Sequence, residues 1–451
     1  MHLPPLAVLL AWIPLGAYLF RRLPPRAAIL ANFLGGWAIL PGANYTPSNV
    51  EFPYWILDVC LPTGYLVTKA TVTGIAALAG TLLFHRPALR SFRPDWRDLP
   101  MALWCCVPLL SAAAHWSTLR DGLLGAIYQT LAWGTPWLLG RIFFSDRDGL
   151  LVAAKGVVIS GLCYVPICLM EICTGPQLYA FFYGYQPYRS VGAARYLGYR
   201  PIGFLEDGNQ LGIWMAAATL LAVSFAVYRI APRILGLPMQ WVAATLALTT
   251  LLCQSAGSIL LLAILLPLTL LRRRALMRGL ILLLVLAIVG FALFRMAGKV
   301  SLRDLARSNG LVHSLAEDLQ AVGRHSFAWR LARDESNISL ALQNPILGSG
   351  RWDWWQSGDF RPWSLWMLIF GMYGAVGLCA FAGILLLPVL QTVWHPSSQE
   401  PPSHINLRWA LVGLILLVAF DNLLNGAMIL PYLVAIGALS SGSRDWDRSR
   451  T

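Results

Sequence analysis

Long apolar runs alternate with short polar connections along this chain. An α-helix needs about 20 mostly apolar residues to cross the hydrocarbon core of a membrane. Thirteen runs approach that length, at residues 3–20, 27–41, 68–84, 101–118, 122–143, 150–174, 208–228, 238–254, 257–271, 279–297, 363–394, 408–422 and 427–441. The pattern predicts an all-α fold, a polytopic transmembrane helical bundle of about 12–14 spans.

Arginines cluster in alternate connections between these runs. The clusters are Arg21, Arg22 and Arg26; Arg86, Arg90, Arg93 and Arg97; Arg141 and Arg147; Arg229 and Arg233; Arg272, Arg273, Arg274 and Arg278; and Arg444, Arg448 and Arg450. Because cytoplasmic loops are enriched in Lys and Arg, we expect these connections and the C-terminus on the cytoplasmic side. The opposite side then receives residues 42–67, 115–121, 175–207, 298–362 and the turn near Asp421.

Composition agrees with a membrane protein. Only 12% of the residues are charged and 57% are hydrophobic, whereas soluble domains carry about 25% charged residues. The net charge of +13 comes from the basic connections, so it does not indicate a nucleic-acid partner. The first apolar run precedes Arg21 and Arg22, the reverse of a cleaved signal peptide, and is interpreted as a retained span.

The spacing of cysteine, histidine and acidic residues does not predict a metal site or a disulfide framework. The eight cysteines lie in or beside apolar runs, with neither metal-ligand spacing nor a disulfide framework. The outer connections contain no His, Asp and Glu cluster with ligand spacing. We therefore expect no metal and no cofactor.

One long polar segment interrupts the apolar pattern late in the chain. It divides the sequence into residues 1–297 with the first ten spans, the loop 298–362, and residues 363–451 with the last spans and a cytoplasmic tail. Apolar residues recur at helical spacing over 311–322 and again over 327–342, which predicts amphipathic helices in a large periplasmic loop. Long loops are exempt from the charge rule, so the arginines of this loop are compatible with that side.

A tight turn is predicted at the end of the second loop helix. Asn344 ends the helix, because the residue before proline avoids the helical conformation. Gly348 and Gly350 then permit a sharp turn close to a ligand. The tryptophans beyond the turn are typical of an interfacial aromatic belt, with stacking on sugar rings as the alternative. They are Trp352, Trp354, Trp355 and Trp363.

A second outer connection, 175–207, is rich in tyrosine and arginine. It ends in the sequence Arg200-Pro201-Ile202-Gly203-Phe204-Leu205-Glu206-Asp207-Gly208-Asn209-Gln210, where the next span opens. Asp207 or Asn209 is expected to cap that helix, because both side chains accept hydrogen bonds from the first helical amides.

Three motifs follow one another in this part of the chain. Arg200-Pro201-x-Gly203-Phe204 opens a span, and Ser326-x-x-x-Arg330 precedes Asn344-Pro345-Ile346-Leu347-Gly348-x-Gly350. Ser364-Leu365-Trp366-Met367-Leu368 then precedes Tyr373-Gly374-Ala375-Val376-Gly377. In this order they resemble the O-antigen ligase and O-antigen polymerase superfamily over residues 195–380.

The resemblance implies a metal-independent glycosyltransferase of the bacterial inner membrane with its active site facing the periplasm. Such enzymes transfer glycan from an undecaprenyl-diphosphate carrier, whose diphosphate is held by arginines. The matching positions are Arg200 and Arg330, with Arg351 or Arg361 assisting. The implied partners are the carrier-linked glycan, membrane lipids and a chain-length regulator protein.

One departure from the family affects the acceptor. The ligases use a histidine just before the helix that follows the loop. Here Trp363 and Ser364 occupy that place, and no histidine lies between His325 and His395. The departure favours a polymerase of surface polysaccharide or O-antigen repeat units over a ligase that acts on lipid A-core.

The residue chemistry supports anion binding independently of the resemblance. Lys69, Lys155 and Lys299 are the only lysines, so the outer segments offer arginine, whose planar guanidinium matches phosphate in a bidentate way. The incoming hydroxyl needs a base, and Glu206, which is close to Arg200 in sequence, leads the candidates. The complete set is Glu206, Asp207, Asp353 and His325.

A lipid or sugar transporter or flippase is the alternative from another class. Transporters place ionisable residues within their spans and often show repeated halves. The predicted spans are nearly free of acids, no repeat is visible, and the charge lies outside the spans. This pattern favours the enzyme. Asp421 lies at a predicted outer turn and is expected to cap that turn, with a position facing the cavity as the alternative.

Overall fold

The computed structural model describes residues 2–46, 59, 67–90, 92–115, 119–187, 194–296, 326–358, 361–394 and 401–441. Over these residues the chain is mostly helical. The α-helices are α1 Pro5–Arg22, α2 Pro25–Leu30, α3 Gly36–Ile39, α4 Lys69–Phe84, α5 Arg86–Arg90, α6 Leu99–His115, α7 Leu119–Gln129, α8 Thr135–Phe143, α9 Arg147–Thr174, α10 Leu178–Tyr183, α11 Gly208–Tyr228, α12 Met239–Leu252, α13 Ala256–Thr269, α14 Arg274–Met296, α15 Ser326–Ala341, α16 Leu365–Trp394, α17 Pro402–Asp421 and α18 Leu433–Leu439.

Short segments of other geometry complete the fold. Two π-helical segments, Ala31–Gly35 and Thr130–Gly134, continue α2 into α3 and α7 into α8. The 3₁₀ turns are Trp96–Asp98 and Leu430–Tyr432. Two antiparallel hairpins pair β1 Ala194–Arg195 with β2 Gly198–Tyr199, and β3 Arg233–Ile234 with β4 Leu237–Pro238.

Six described helices are long and apolar enough to cross a membrane, as expected for a multi-pass membrane protein. They are Trp96–His115, Arg147–Thr174, Gly208–Tyr228, Arg274–Met296, Leu365–Trp394 and Pro402–Asp421. Lys69–Phe84, Met239–Leu252, Ala256–Thr269 and Leu430–Leu439 are apolar but shorter. Each of the thirteen predicted runs overlaps a helix, yet the count of 12–14 spans stays a prediction, because length and composition identify six.

Helix α11 lies at the centre of the bundle. It packs against α9, α12, α13 and α17, and most of its side chains are buried. Small residues permit this close packing: a Cβ atom on Gly212 would lie 2.3 Å from the Cβ atom of Ser255. By contrast, α14 is largely exposed and packs lightly on α13, α15 and α16.

The basic connections meet at one end of the bundle, which we call the basic end. Arg26 pairs with Asp146 at 2.7 Å, and Arg141 pairs with Asp98 at 2.9 Å. Other contacts that join these connections are Arg97 with Ser441, Arg147 with Ser403 and Arg274 with Asn406. The loops that we expected on one side of the membrane are therefore neighbours.

The opposite end, which we call the cleft end, brings together the other predicted group. Ser111, near the end of α6, donates to the carbonyl of Leu347 at 2.6 Å. The amide of Leu365, at the start of α16, donates to the carbonyls of Asn422 and Asn425. Helix α15 covers the second predicted loop helix, while the first, 311–322, lies outside the described residues.

Candidate functional site

The segment between β2 and α11 forms one wall of a cleft. Asp207 caps α11 by accepting from the amides of Asn209 and Gln210 at 2.8 and 2.7 Å, so one of the two predicted caps is confirmed. Gly203 has a φ of +61°, in the region that favours glycine. The turn at Gly203 and the cap at Asp207 fix the backbone that follows Arg200.

Arg200 lies across the start of α11. Its Nη2 atom donates to Asn209 Oδ1 at 2.7 Å and to Ser255 Oγ at 3.3 Å. Its buried Nε atom has no hydrogen-bond partner in the part of the chain that the structure describes. Burial lowers the pKa of the Arg200 guanidinium, Asp207 opposes that shift, and Arg195 and Arg330 add to it. Arg200 is therefore a half-buried cation that keeps one unused donor.

Arg330 enters from α15 on the other side. Its Nη1 atom donates to Asn425 Oδ1 at 2.5 Å. Its guanidinium carbon lies 5.8 Å from the ring centre of Trp363, and that of Arg361 lies 5.6 Å from the same ring. Two cations thus share one aromatic ring, a favourable arrangement for each.

The cleft lies between these two walls and is small and open to solvent. Its lining residues are Asp207, Asn209, Gln210, Trp363, Asp421, Asn425, Gly426 and Ala427. Since Asn209 holds Arg200 and Asn425 holds Arg330, the two arginines flank the cleft. A second, smaller pocket shares Gln210, Asp421 and Ala427 with it.

Asp421 is a buried carboxylate on the cleft wall, at the end of α17. Its Oδ1 atom accepts from Asn425 Nδ2 at 2.5 Å, and its carbonyl accepts from the amide of Asn425 at 2.8 Å. It therefore orders the turn after α17, as expected, and it also faces the cleft, which was the alternative considered for it from the sequence.

Asp334 fixes the position of Trp363. Its Oδ1 atom accepts from the amides of Trp363 and Ser364 at 2.7 and 3.2 Å. Burial raises the pKa of Asp334, and the hydrogen bonds from Ser364 and Trp363 oppose that shift. The start of α16 is thus held by a carboxyl group on α15.

The predicted glycine turn closes on the protein itself. Gly348 and Gly350 have φ values of +67° and +70°, and Gly374 breaks α16 with φ +64° and ψ −160°. The amides of Ser349 and Gly350 donate to carbonyls before the break, each at 3.0 Å. The amides of Ala375 and Val376 donate to the carbonyls of Pro345 and Ile346 at 2.8 and 3.1 Å.

This turn and the broken helix form one interlocked unit. A Cβ atom on Gly348 would lie 2.4 Å from backbone atoms of Met372 and Tyr373. The expectation that the glycines approach a ligand is therefore corrected: the close neighbour is the backbone of α16. Two motifs that are separate in the sequence satisfy each other's backbone groups.

Arg351 and Asp353 pair with each other and, among the residues that the structure describes, not with Arg200 or Arg330. Two parallel hydrogen bonds of 2.9 Å join them, and the Arg351 side chain is 63% exposed. The hydrogen bonds that Arg351 donates to Asp353 raise the pKa of Arg351. In the described part of the chain, no hydrogen bond or ion pair joins this pair to Arg200 or Arg330.

Glu206 is turned away from Arg200. Its Oε1 atom lies 2.6 Å from Lys69 Nζ, which itself lies 4.1 Å from the ring centre of Trp37. Burial raises the pKa of Glu206, and Lys69 opposes that shift. The ion pair joins α4 to the segment before α11, so Glu206 is already neutralised as a candidate base.

Two further predictions concern residues near the loop. His325 lies outside the described residues. The aromatic-belt prediction is wrong for Trp354 and Trp355, which are buried in the protein. Trp354 packs directly on Gly371 of α16, where a Cβ atom would lie 2.1 Å from its ring. These tryptophans therefore hold the loop to the bundle.

The sequence did not predict four of the residues that contact the candidate site residues or the segment after Arg200: Lys69, Glu171, Asn209 and Asn425. Lys69 and Glu171 are ionisable residues in apolar helices, and that signal was available. The two asparagines carried no signal beyond their position at helix ends. Among the described residues, no group of three or more His, Cys, Asp or Glu side chains is placed to hold a metal ion.

No protein-family model matches the sequence, and no curated protein matches it either. The function is therefore inferred from the cleft and its residues.

Proposed function

We propose that this chain is a membrane glycosyltransferase that moves glycan from an undecaprenyl-diphosphate carrier to an acceptor hydroxyl without a metal ion. The observation that carries the proposal is the pair of arginines on one cleft. Arg200 and Arg330 come from two distant motifs, and each is oriented by an asparagine amide oxygen. The resemblance to the O-antigen ligase and polymerase superfamily names the same two positions.

The chemistry requires stabilisation of a departing diphosphate. The acceptor oxygen forms a bond to the anomeric carbon, the bond from that carbon to the phosphate oxygen breaks, and the acceptor proton passes to a base. Negative charge grows on the diphosphate as it leaves. Preorganised guanidinium donors stabilise that charge more than they stabilise the bound donor substrate, which lowers the barrier.

Asp421 is the carboxylate that we assign to the acceptor proton. It lies on the cleft wall with Asp207, which is occupied as the cap of α11. The earlier candidates Glu206 and Asp353 are paired with Lys69 and Arg351. An isosteric Asp421→Asn change keeps the turn acceptor and removes the base, so we expect the maximal rate to fall while donor binding persists.

A polymerase of surface polysaccharide or O-antigen repeat units is favoured over a ligase. The support is the absence of a histidine beside Trp363 and Ser364, where the ligases carry one. The two activities differ in their acceptor. A longer glycan that stays on the carrier indicates a polymerase, and glycan on lipid A-core indicates an O-antigen ligase.

A lipid or sugar transporter is the second candidate because α16 is broken at Gly374. Transporters often bind their substrates at such breaks. Here, however, the turn from Asn344 to Gly350 fills the break with backbone hydrogen bonds. This arrangement leaves the arginine cleft as the better candidate site. A transporter moves the lipid-linked glycan between leaflets with no covalent change.

The proposed location is the bacterial inner membrane, with the cleft end facing the periplasm. The support is the gathering of the basic connections at the opposite end. A single cysteine at the exposed Ser357 should react with an impermeant thiol reagent in intact spheroplasts, and one at the exposed Arg22 should not. The reverse labelling pattern would invert the topology.

The decisive experiment uses purified protein in nanodiscs with a polyprenyl-diphosphate oligosaccharide as donor and acceptor. Arg200→Lys and Arg330→Lys lose the bidentate geometry, and removal of one transition-state donor typically costs about a hundredfold or more in rate. Arg26→Lys, at the basic end, is the matched control and should transfer normally. Near wild-type rates for both cleft variants would overturn the arginine clamp.

A further inference from the structure

Glu171 is a buried carboxylate that the proposed reaction does not use. It lies in the last turn of α9 with none of its surface exposed. Its Oε2 atom accepts from the amides of Ile202 and Gly203 at 2.8 and 2.7 Å, and its Oε1 atom accepts from the amide of Leu178 at 3.3 Å. Within the described residues it has no cationic partner.

The cost of burying this group indicates a specific role. A carboxylate removed from water is strongly destabilising unless charged or hydrogen-bonded partners compensate it. Here all the compensation comes from backbone amides, which form strong bonds to an ionised acceptor. Two of the three donors belong to consecutive residues and converge on one oxygen. Such a nest of amides requires a turn of the kind that Gly203 adopts with φ +61°.

The anchored amides lie directly after the first clamping arginine. Pro201 separates Arg200 from Ile202, and its ring restricts the backbone between them. Upstream, hairpin β1–β2 rests on α9, since a Cβ atom on Gly198 would lie 2.5 Å from the carbonyl of Ile172. Arg200 is therefore held between two contacts with the end of α9, and Glu171 supplies the one downstream.

We propose that Glu171 is a positioning residue that sets the location of Arg200 at the cleft through the backbone of Ile202 and Gly203. The inference rests on the proposed function in one respect, namely that Arg200 grips the diphosphate of the donor. The carboxylate lies within a membrane-spanning helix, and the arginine that it positions lies at the cleft end of the bundle.

Two replacements of Glu171 distinguish a role in anchoring the backbone of Ile202 and Gly203 from a role in packing alone. Glu171→Leu keeps a similar volume and removes every acceptor. Glu171→Gln keeps one carbonyl oxygen for Ile202 and Gly203 but presents a donor group toward Leu178. A packing role tolerates leucine at least as well as glutamine. A positioning role gives the opposite order, with glutamine partly rescuing what leucine loses.

The first measurement tests the anchor itself, with no reference to activity. Hydrogen exchange is followed by mass spectrometry on the full-length protein in nanodiscs. In Glu171→Leu, the peptide that covers residues 200–207 should exchange about tenfold faster or more, as expected for lost bonds to a charged acceptor. The control Thr219→Val removes the buried 2.8 Å hydrogen bond to Thr250, far along α11, and should leave this peptide unchanged.

The second measurement tests coupling to Arg200. Displacement of a catalytic group by about 1 Å can reduce a rate roughly a hundredfold, so Glu171→Leu should reduce kcat by that order in the wild-type background. In the Arg200→Lys background the same change should cost only a few-fold, because its target is already lost. Equal factors in the two backgrounds would show that Glu171 acts independently of Arg200 and overturn the proposal.

The same double-mutant comparison of Glu171→Leu and Arg200→Lys is made for ligand binding. The positioning role and the glycosyltransferase activity can then fail separately. Farnesyl diphosphate, a soluble prenyl diphosphate, is the probe, and its Kd is measured for the four proteins. Coupled Kd values without glycan transfer retain Glu171 as a positioning residue and reject the transferase. Transfer with additive effects retains the transferase and rejects the positioning role. A wild-type protein that neither transfers glycan nor binds the probe rejects both.

Discussion

Arginines at the two ends of the bundle are held by different partners. At the basic end, Arg26 meets the carboxylate of Asp146 at 2.7 Å. At the cleft end, Arg200 donates to the neutral oxygens of Asn209 and Ser255. A carboxylate neutralises a guanidinium, whereas an amide or hydroxyl oxygen orients it and leaves its charge for an incoming anion. Arginine content alone therefore does not locate an anion site; the partners do.

The same difference recurs inside the long loop. Arg351 is exposed and tied to Asp353 by two hydrogen bonds. Arg330 donates to the side-chain oxygen of Asn425 and lies over the ring of Trp363. The sequence resemblance places Arg330 in the pair that holds the diphosphate and gives Arg351 an assisting role. Their surroundings separate a surface ion pair from a member of the cleft.

The largest effect that we expect concerns Lys69, which forms a buried ion pair with Glu206, the acidic residue nearest to Arg200 in the sequence. Lys69→Met leaves Glu206 buried without its cation, and removal of one partner of a buried pair costs about 3–5 kcal/mol of stability. The double variant Lys69→Met, Glu206→Leu should recover most of that loss. Chemical unfolding in detergent micelles gives both values. Equal destabilisation of the single and double variants would contradict a buried ion pair.

The next prediction gives the cleft-end arginine Arg200 a carboxylate partner like that of Arg26 at the basic end. Asn209→Asp converts the holder of Arg200 into the kind of partner found at the basic end. A new negative charge about 4 Å from a bound phosphate is worth several kcal/mol, so the affinity for farnesyl diphosphate should fall roughly a hundredfold or more. Calorimetric titration measures it.

The matched control makes the reciprocal exchange at the basic end. Asp146→Asn gives Arg26 an amide partner, and asparagine still caps α9 as aspartate does. Diphosphate binding should be unchanged, because the exchange is made at the basic end, at the opposite end of the bundle from the cleft that Arg200 and Arg330 flank. Unaltered binding in Asn209→Asp would show that the neutral holder is irrelevant.

The helical architecture was predictable because apolar run length is a direct physical requirement of the membrane. All thirteen predicted runs overlap helices. The strict span count was not predictable, since several helices are short or contain π-helical turns. The cap at Asp207 was also predictable, because capping depends on residues two and three positions away.

The partners within the site were not predictable because they come from distant segments. Lys69 reaches Glu206 from α4, and Asn425 reaches Arg330 from the turn after α17. Hydropathy carries no information on which polar side chains meet. The glycine turn shows the same limit: its positive φ values were anticipated, but its partner, the break at Gly374, is set by tertiary packing.

A smaller effect distinguishes Asp334 from the ion-paired acids of the basic end. Burial raises the pKa of Asp334 in the folded protein, so ionisation of this carboxyl opposes folding. The free energy of unfolding should therefore decrease as the pH rises from 3.8, the ordinary pKa of aspartate, through the raised pKa. Each pH unit of that shift is worth about 1.4 kcal/mol. Asp334→Asn keeps the acceptor for Trp363 and Ser364 and should remove this component. Melting curves of both proteins across pH test it, and parallel curves would contradict the assignment.

The smallest effect is expected at Arg351. Its guanidinium is mostly in solvent, where an ion pair contributes about 0–1 kcal/mol because water and salt screen it. Arg351→Ala should therefore change the melting temperature little and the rate of glycan transfer less than about twofold, since no loss of transition-state contact is involved. The comparison protein is Arg200→Ala, which removes the same side chain from the cleft. A loss at Arg351 as large as the loss at Arg200 would place the exposed arginine in the site and remove the distinction between ion-paired and amide-held arginines.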